Sequence, residues 1–500
     1  MRDSLFHIDR SSGLTLQMLL REKLVSAILA GHLPPGSRLP SCRLMAKRVK
    51  VSLNTVLLAY QALTEDGYIV VRDRSGHYVA SDITHRAPPT PVAEPAGAPE
   101  ADPSPIDWAA MLTLHPAEQS NITKPRNWHD YPYPFIYGQV DADLFPLSIW
   151  RDCTRQAMNR KWLYAWTEDR YTEDDPMLVE QIRQRVLTRR GIMAKPDEVL
   201  ITLGSQNSLY LLSSLLVRPG TVVAMEDPGY ADVRNMFSLL SANVRTVALD
   251  AEGLRVDQLG AAQLAFVTPS HQFPTNVTMS LDRRQALLDW ASSSDALIIE
   301  DDYEFETNYY GNPIPALKSL DTADRVLYTS SLSKSLMPGL RIGFMVGPRE
   351  LIKQARALRR LILRHPPSNN QRVAALFLSL GHHDALIAKL HHAYKERWQT
   401  LAEALDAYLP GWAQAPTFGG TSFWVKAPAS IDARLLAARA IERGVVIETG
   451  DIYFADPQEG RNYFRLSFSS VPEDRIWSGI ANLAAAVAQL QHETGSGYGP

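Results

Sequence analysis

SSLSKSLMPGLRIGF, residues 330–344, places Lys334 among small hydroxyl residues, with Arg341 seven positions on and a Pro-Gly between them. A lysine held among hydroxyls near an arginine suits a ligand carrying both an aldehyde and a phosphate, because the amine condenses with the first and the guanidinium grips the second. On its own such a segment is a weak signal, since most lysines are simply solvated.

Upstream, IIEDDYEFE (298–306) ends an apolar run in consecutive acids. Burying a carboxylate is costly without a partner. A protonated pyridine nitrogen is such a partner, which makes Asp301 the candidate, with Asp302 as rival, and Tyr303 a donor to the ring's phenolate oxygen. A metal site or a solvated acidic loop is the alternative, and the lack of nearby histidines argues against the metal. Asp301 and Lys334 together point to pyridoxal 5'-phosphate, with Lys334 as Schiff-base residue and Ser331 and Arg341 at the phosphate.

From about Tyr131 onward, EVLITLG, VVAMED, LAFVTPS, ALIIEDDY and RVLYTSS alternate with amphipathic segments. The pattern predicts a largely parallel sheet covered by helices, with ligands beyond the carboxyl ends of the strands. One such end is LGSQNS, where Gly204, Ser205 and Gln206 open a helix whose N-terminus suits a phosphate. Another is EDPGY, where Tyr230 could stack on a flat ring.

Ahead of this body, seven of the eighteen residues in 88–105 are proline, so that stretch is an extended spacer. The predicted division is a head at 1–85, a Pro-rich linker at 86–129 and a body at 130–490, two folded domains for a chain of 500 residues. The head has 11 Lys+Arg against 7 Asp+Glu, a net of +4 that leaves −7 for the remainder of a chain at −3. A basic head suggests a polyanionic partner. Cys42 and Cys153 cannot build a disulfide framework, and both read as packed thiols in a reducing cytosol. With no signal-like start and no membrane-length apolar run, the chain is expected to be cytoplasmic.

Within the head, LTLQMLLREKLVSAILAG aligns Leu16, Leu19, Leu20, Leu24 and Ile28 on one helical stripe. Ser41 caps a second predicted helix and Ser52 a third, which runs to Gly67, and YIVVRDRSGHYVA reads as a hairpin. Three helices and a basic hairpin predict a winged helix-turn-helix. The first turn of the third helix, with Ser52, Leu53, Asn54 and Thr55, would enter the major groove of double-stranded DNA. Arg38, Ser41, Arg43, Lys47, Arg48 and Lys50 would surround it, with Arg72, Arg74 and His77 on the wing. A helical protein-interaction module with a basic face is the alternative.

Residues 31–69, GHLPPGSRLPSCRLMAKRVKVSLNTVLLAYQALTEDGYI, resemble the GntR-type winged helix. The body resembles the fold type I, aspartate aminotransferase-like enzymes. LFPLSIW, EDPGY, VTPSHQFPTNVTMSLDRR, IIEDDYEFE, PIPALKSLD and SLSKSLMPGLRIGF look like the MocR subfamily, which fuses the two. This resemblance implies pyridoxal phosphate on Lys334, with Asp301 and Tyr303 at its ring, Tyr230 stacked on it, and Ser205, Gln206, Ser331 and Arg341 at its phosphate. It also implies that Tyr171 reaches a neighbouring subunit's phosphate in a homodimer, and that Arg465, in NYFRLSFSS, binds an effector's acid group. Three features depart from the family pattern: Leu53 stands where arginine is common, Asn276 replaces the glycine of FPTG, and the glycine expected soon after the tyrosine of YTEDDP is absent.

The implied function is a transcriptional regulator that senses a small amino compound by external aldimine formation and answers at a DNA operator. 4-Aminobutyrate, taurine and amino acids from compatible-solute breakdown all fit as effectors. A working aminotransferase with a DNA-binding head, or a sensor of pyridoxal phosphate itself, are the competing expectations.

Overall fold

Thr15 starts the first helix, α1 (Leu16–Leu29), by accepting from the Met18 N–H, and the helix buries Leu19, Leu20, Leu24, Ala27 and Ile28. Leu16, expected on the same stripe, is only half-buried. This computed structural model describes residues 13–83, 106–136, 138–310, 314–413 and 419–493. The proline-rich stretch 88–105 lies outside the described residues. The chain divides after Leu112 into two compact units.

In the first unit, Ser41 and Ser52 cap α2 (Cys42–Val49) and α3 (Leu53–Glu65) through bonds from the Leu44 and Thr55 N–H groups. α3 ends two residues before Gly67, and its buried Val56, Ala59, Tyr60 and Leu63 meet α1 and α2 in one apolar core. Strands β1 (Ile69–Arg72) and β2 (Gly76–Val79) pair antiparallel as the expected hairpin.

The second unit is built on an eight-stranded sheet. Its strands are β4 (Val199–Thr202), β5 (Val222–Asp227), β6 (Asn243–Asp250), β7 (Gly253–Leu254), β8 (Leu264–Val267), β9 (Leu297–Asp301), β10 (Val326–Ser331) and β11 (Gly343–Val346). A short strand, β3 (Tyr133–Pro134), precedes them and pairs elsewhere. The order across the sheet is β4-β11-β10-β9-β8-β5-β6-β7. Pairing is parallel from β10 to β6, and β8, β9 and β10 are almost wholly buried because helices cover the sheet.

β11 runs antiparallel to both neighbours, a reversal not predicted by the alternating pattern. Its cause is chain length. The eleven residues 332–342 between β10 and β11 are too few for a helical crossover, so the chain turns straight back. Lys334 and Arg341 are thereby held on one connection beyond the carboxyl end of β10.

A smaller antiparallel sheet follows, β12 (Ser422–Lys426), β15 (Tyr463–Ser467) and β14 (Glu448–Thr449), while β13 (Val445–Val446) pairs with β3. Among the described residues no single helix is long and apolar enough to cross a membrane.

Candidate functional site

A cavity of about 160 Å³ opens at the carboxyl ends of β8, β9 and β10. Ser205, Gln206, Tyr230, Asp301, Tyr303, Ser331, Lys334 and Arg341 all line it, so the structure gathers residues spread over 137 positions of sequence. Gly138, Thr268, Phe273, Ser333 and Pro338 complete the wall; the sequence reading had assigned these no role at the site.

Asp301 ends β9 directly beside Thr329 of β10, whose hydroxyl donates to Oδ1 at 3.1 Å. The side chain is buried, and burial, with Asp302 and Glu300 nearby, pushes its carboxyl up to about 7. The rival Asp302 faces away into an ion pair with Arg190 (2.7 Å) and accepts from the Tyr328 hydroxyl at 2.9 Å. Burial would raise Asp302, but Arg190 and the donors around it hold its carboxyl below the usual range. Alternation along the strand decides between the two acids, because successive side chains point to opposite faces.

Lys334 lies near the Tyr303 ring, its Nζ 5.8 Å from the centroid. Burial, aided by the positive Arg465, brings its amine down to about 7, with Glu304, Glu448 and Asp301 opposing. Ser331 shapes the turn that presents it: its hydroxyl donates to the Ile342 carbonyl and accepts from the Ser333 N–H.

A glycine turn lies beside Ser205 and Arg341 of the cavity wall. Gly204 has φ +84, in the left-handed region that favours glycine, and no side chain caps the helix Ser205–Leu216 that follows. Arg341 donates to the Leu203 carbonyl at 2.7 Å, and a Cβ on Gly204 would lie 2.9 Å from its Nη2. Gln206 and the Tyr230 hydroxyl both bond to Asp232, which the sequence reading missed.

Tyr230 packs edge-on against Phe273, which packs in turn against Tyr303 and Tyr453. Arg465 does not line the cavity. It is fully buried on β15, with its guanidinium over the Phe273 ring at 4.4 Å and its Nε donating to the Ser422 hydroxyl at 2.9 Å. Asn276 belongs to the same network: at φ 61 it takes the left-handed conformation that glycine or asparagine tolerates, and its amide donates to the Ser422 carbonyl at 2.6 Å. Asparagine thus keeps the backbone shape of the glycine it replaces and adds a tether to β12.

Tyr171 is away from its own chain's cavity, flanked by Arg360 (4.0 Å) and Arg364 (5.1 Å).

The arrangement fits pyridoxal phosphate on its own terms. A buried carboxyl raised to about 7 is relieved by a cationic ring nitrogen, the glycine turn and Arg341 offer donors to a dianion, and Lys334 supplies a near-neutral amine.

In the head, Arg38, Arg43, Lys47, Arg48, Lys50, Asn54, Arg72 and Arg74 are exposed. The hydroxyls of Ser41 and Ser52 are engaged as caps, and that of Thr55 bonds to Ser52 at 2.7 Å, so these three shape the helix starts. His77 lies half-buried on the hairpin's second strand, where it packs edge-on against Tyr60 at 4.9 Å and burial lowers its ring below the usual pKa.

Residues 165–482 match the family "Aminotransferase class I and II", and residues 18–79 match "Bacterial regulatory proteins, gntR family". The chain is 44% identical to the HTH-type transcriptional regulator TauR of Rhodobacter capsulatus, over 95% of this chain and 96% of that one. It is 30% identical to a probable rhizopine catabolism regulatory protein, MocR, of Rhizobium meliloti, over 97% and 96% respectively. The body is similar to the crystal structure of LysN, an α-aminoadipate aminotransferase of Thermus thermophilus complexed with N-(5'-phosphopyridoxyl)-L-leucine. That match has a TM-score of 0.70 and 25% identity, and covers 78% of this chain and all of the other. The chain belongs to the MocR-type transcriptional regulators, in which a GntR-family helix-turn-helix head precedes an aminotransferase class I and II body.

Proposed function

We propose that this regulator holds pyridoxal 5'-phosphate in the cavity beside Lys334 and uses it to sense a primary amine that carries an acid group. The observation that carries the reading is the meeting of Lys334, Asp301 and the Gly204–Arg341 turn in one cavity. Bound there, the cofactor supplies an aldehyde that exchanges one primary amine for another. Lys334 contributes the resident amine. Asp301 would keep a proton on the ring nitrogen, and Tyr303 would donate to the ring's phenolate oxygen. Ser205, Gln206, Ser331 and Arg341 hold the phosphate, and Tyr230 and Phe273 wall the ring. Arg465, buried against Phe273, would meet the effector's acid group once that ring moves aside.

The route outward uses the segment leading back toward the head. Ile122 packs on the apolar cluster of Phe273, Tyr303 and Tyr453. Gln119 donates to the Asn235 carbonyl, and the Asn235 amide donates back to Ser120, at 3.2 and 2.9 Å. An effector that shifts Phe273 therefore acts on this segment, by as much as its affinities for the two arrangements differ. The head, through α3 and the basic residues around it, binds a double-stranded operator.

The experiment is an absorption titration of the purified protein with a panel of amino compounds, beside Lys334→Ala. A shifted band that persists, absent in the variant and accompanied by a change in operator affinity, supports sensing. The near-neutral amine of Lys334 also suits proton transfer at carbon, which favours aminotransferase turnover as the second reading. Decay of the band with accumulation of a keto acid would establish that reading instead.

A further inference from the structure

Beside Lys334 is a second, small chamber of about 20 Å³. Glu304, Glu306, Lys334, Ser335, His391 and Tyr394 contribute to its wall. The two glutamates belong to DDYEFE, whose aspartates and tyrosine the cofactor reading uses and whose last acids it leaves without a role.

Three polar atoms at this chamber are buried and lack a hydrogen-bond partner: Glu304 Oε2, Glu306 Oε1 and the Tyr394 hydroxyl. Leaving one such group unsatisfied costs a fold about 1–3 kcal/mol, so three together call for a shared partner. The chamber's volume is that of about one water, which needs two to four polar neighbours. Donors and acceptors match. A water has two hydrogens for the two carboxylates and two lone pairs for the Tyr394 hydroxyl and the Lys334 ammonium.

We propose that this chamber holds one structural water that relays the proton of the Lys334 ammonium to Glu306, making Lys334 a free amine, while Glu304 sets how readily the proton leaves. The transfer is balanced: the ammonium becomes an amine, the Glu306 carboxylate becomes a carboxylic acid, and the water passes on one proton as it receives another. It requires no outside reactant.

The surroundings suit each role. Lys334 faces Glu304, Glu448, Asp301 and the positive Arg465, and its amine lies near 7. Glu306 faces Arg189, the Ser335 hydroxyl, Asp302, Arg190 and, at 3.7 Å, His383; burial raises its carboxyl to about 7 against the lowering by Ser335 and the arginines, so donor and acceptor are matched. Burial lowers His383 to about 4, which leaves it neutral and bonded to the Ser335 hydroxyl at 3.0 Å. Thr421 fixes the other oxygen of Glu304, leaving Oε2 for the water. Glu304 and Glu306 are positioning residues that act through Lys334.

The proposal rests on Lys334 being the reactive amine, and the test separates the two. Full-length protein is stripped of cofactor, mixed with pyridoxal phosphate across pH 5–9, and the adduct is trapped with borohydride and located by mass spectrometry. No trapped Lys334 in wild type overturns the reading of the site itself. With wild type trapped, Glu304→Gln is expected to move the pH midpoint of the capture rate down by about one unit, because a negative neighbour that favours the ammonium is gone. Glu306→Gln is expected to slow capture after a pH jump several-fold. Tyr394→Phe removes one hydroxyl only and keeps the test open if either glutamine variant fails to fold; it too is expected to slow the jump response. Midpoint and rates equal to wild type in the folded variants would overturn the relay.

Discussion

At the scale of single residues, Asp301 shows how a cofactor site is written into the stability of the protein without cofactor. Its folded pKa, about 7, lies above the ordinary carboxylate value. Between these values the unfolded chain ionises and the folded one does not, so stability falls as pH rises through this window and then levels off. A shift of about three units corresponds to about 4 kcal/mol above pH 7. Asp301→Asn, whose amide oxygen can still accept from Thr329, should stabilise the cofactor-free protein by that order at pH 8 and by almost nothing at pH 4. Urea melts of both proteins across this range check it. The same substitution should weaken cofactor retention, because the partner of the ring nitrogen is lost. Much of this site could be read from sequence, because acids at the end of an apolar strand and a lysine among hydroxyls each imply an unusual partner. Phe273, Asp232 and Thr268 could not, since an aromatic or hydroxyl residue in a loop has no signature until the fold shows what it faces. The contact of His77 with Tyr60 was hidden for the same reason, since the packing of hairpin on helix is not local in sequence.

Among the elements, the parallel strands and the head helices followed from periodicity and capping serines, because both signals are local. The antiparallel β11 did not, since its direction depends on how few residues return from β10. The segment carrying Ile122 was equally hidden, being read only as linker. Its packing makes a separable prediction. Ile122→Ala removes apolar contact with the Phe273 cluster and leaves every cavity-lining side chain in place. The spectral response to an effector should keep its midpoint within about threefold, a change below ~0.7 kcal/mol. The effector's influence on operator affinity should fall several-fold. Absorption and DNA-binding titrations on the same preparation measure the two halves of this expectation, and equal loss of both would show that the contact serves only the site.

For the whole molecule, the question is whether two heads act together, and the surface of the body bears on it. Leu361 is 83% exposed and Ile362 49% exposed at the end of the helix Arg349–Leu363, while Tyr164 is 70% exposed on the helix Leu163–Thr167. Arg364 pairs with Asp169, and Arg360 stacks on Tyr171, so the end of the first helix is tied to the segment that follows the second. Large apolar side chains grouped on a surface mark an interface. A second body laid on this face would cover them. Two paired heads then bind two half-sites with the second contact made at high effective concentration. Leu361→Asp sets a charge in the middle of that face and should convert a sedimenting dimer to monomer at micromolar concentration. Affinity for a two-half-site operator should then fall by a factor of ten or more, with affinity for a single half-site unchanged. A wild-type protein that sediments as a monomer while binding both half-sites tightly would place the pairing in the heads and leave this face to another role.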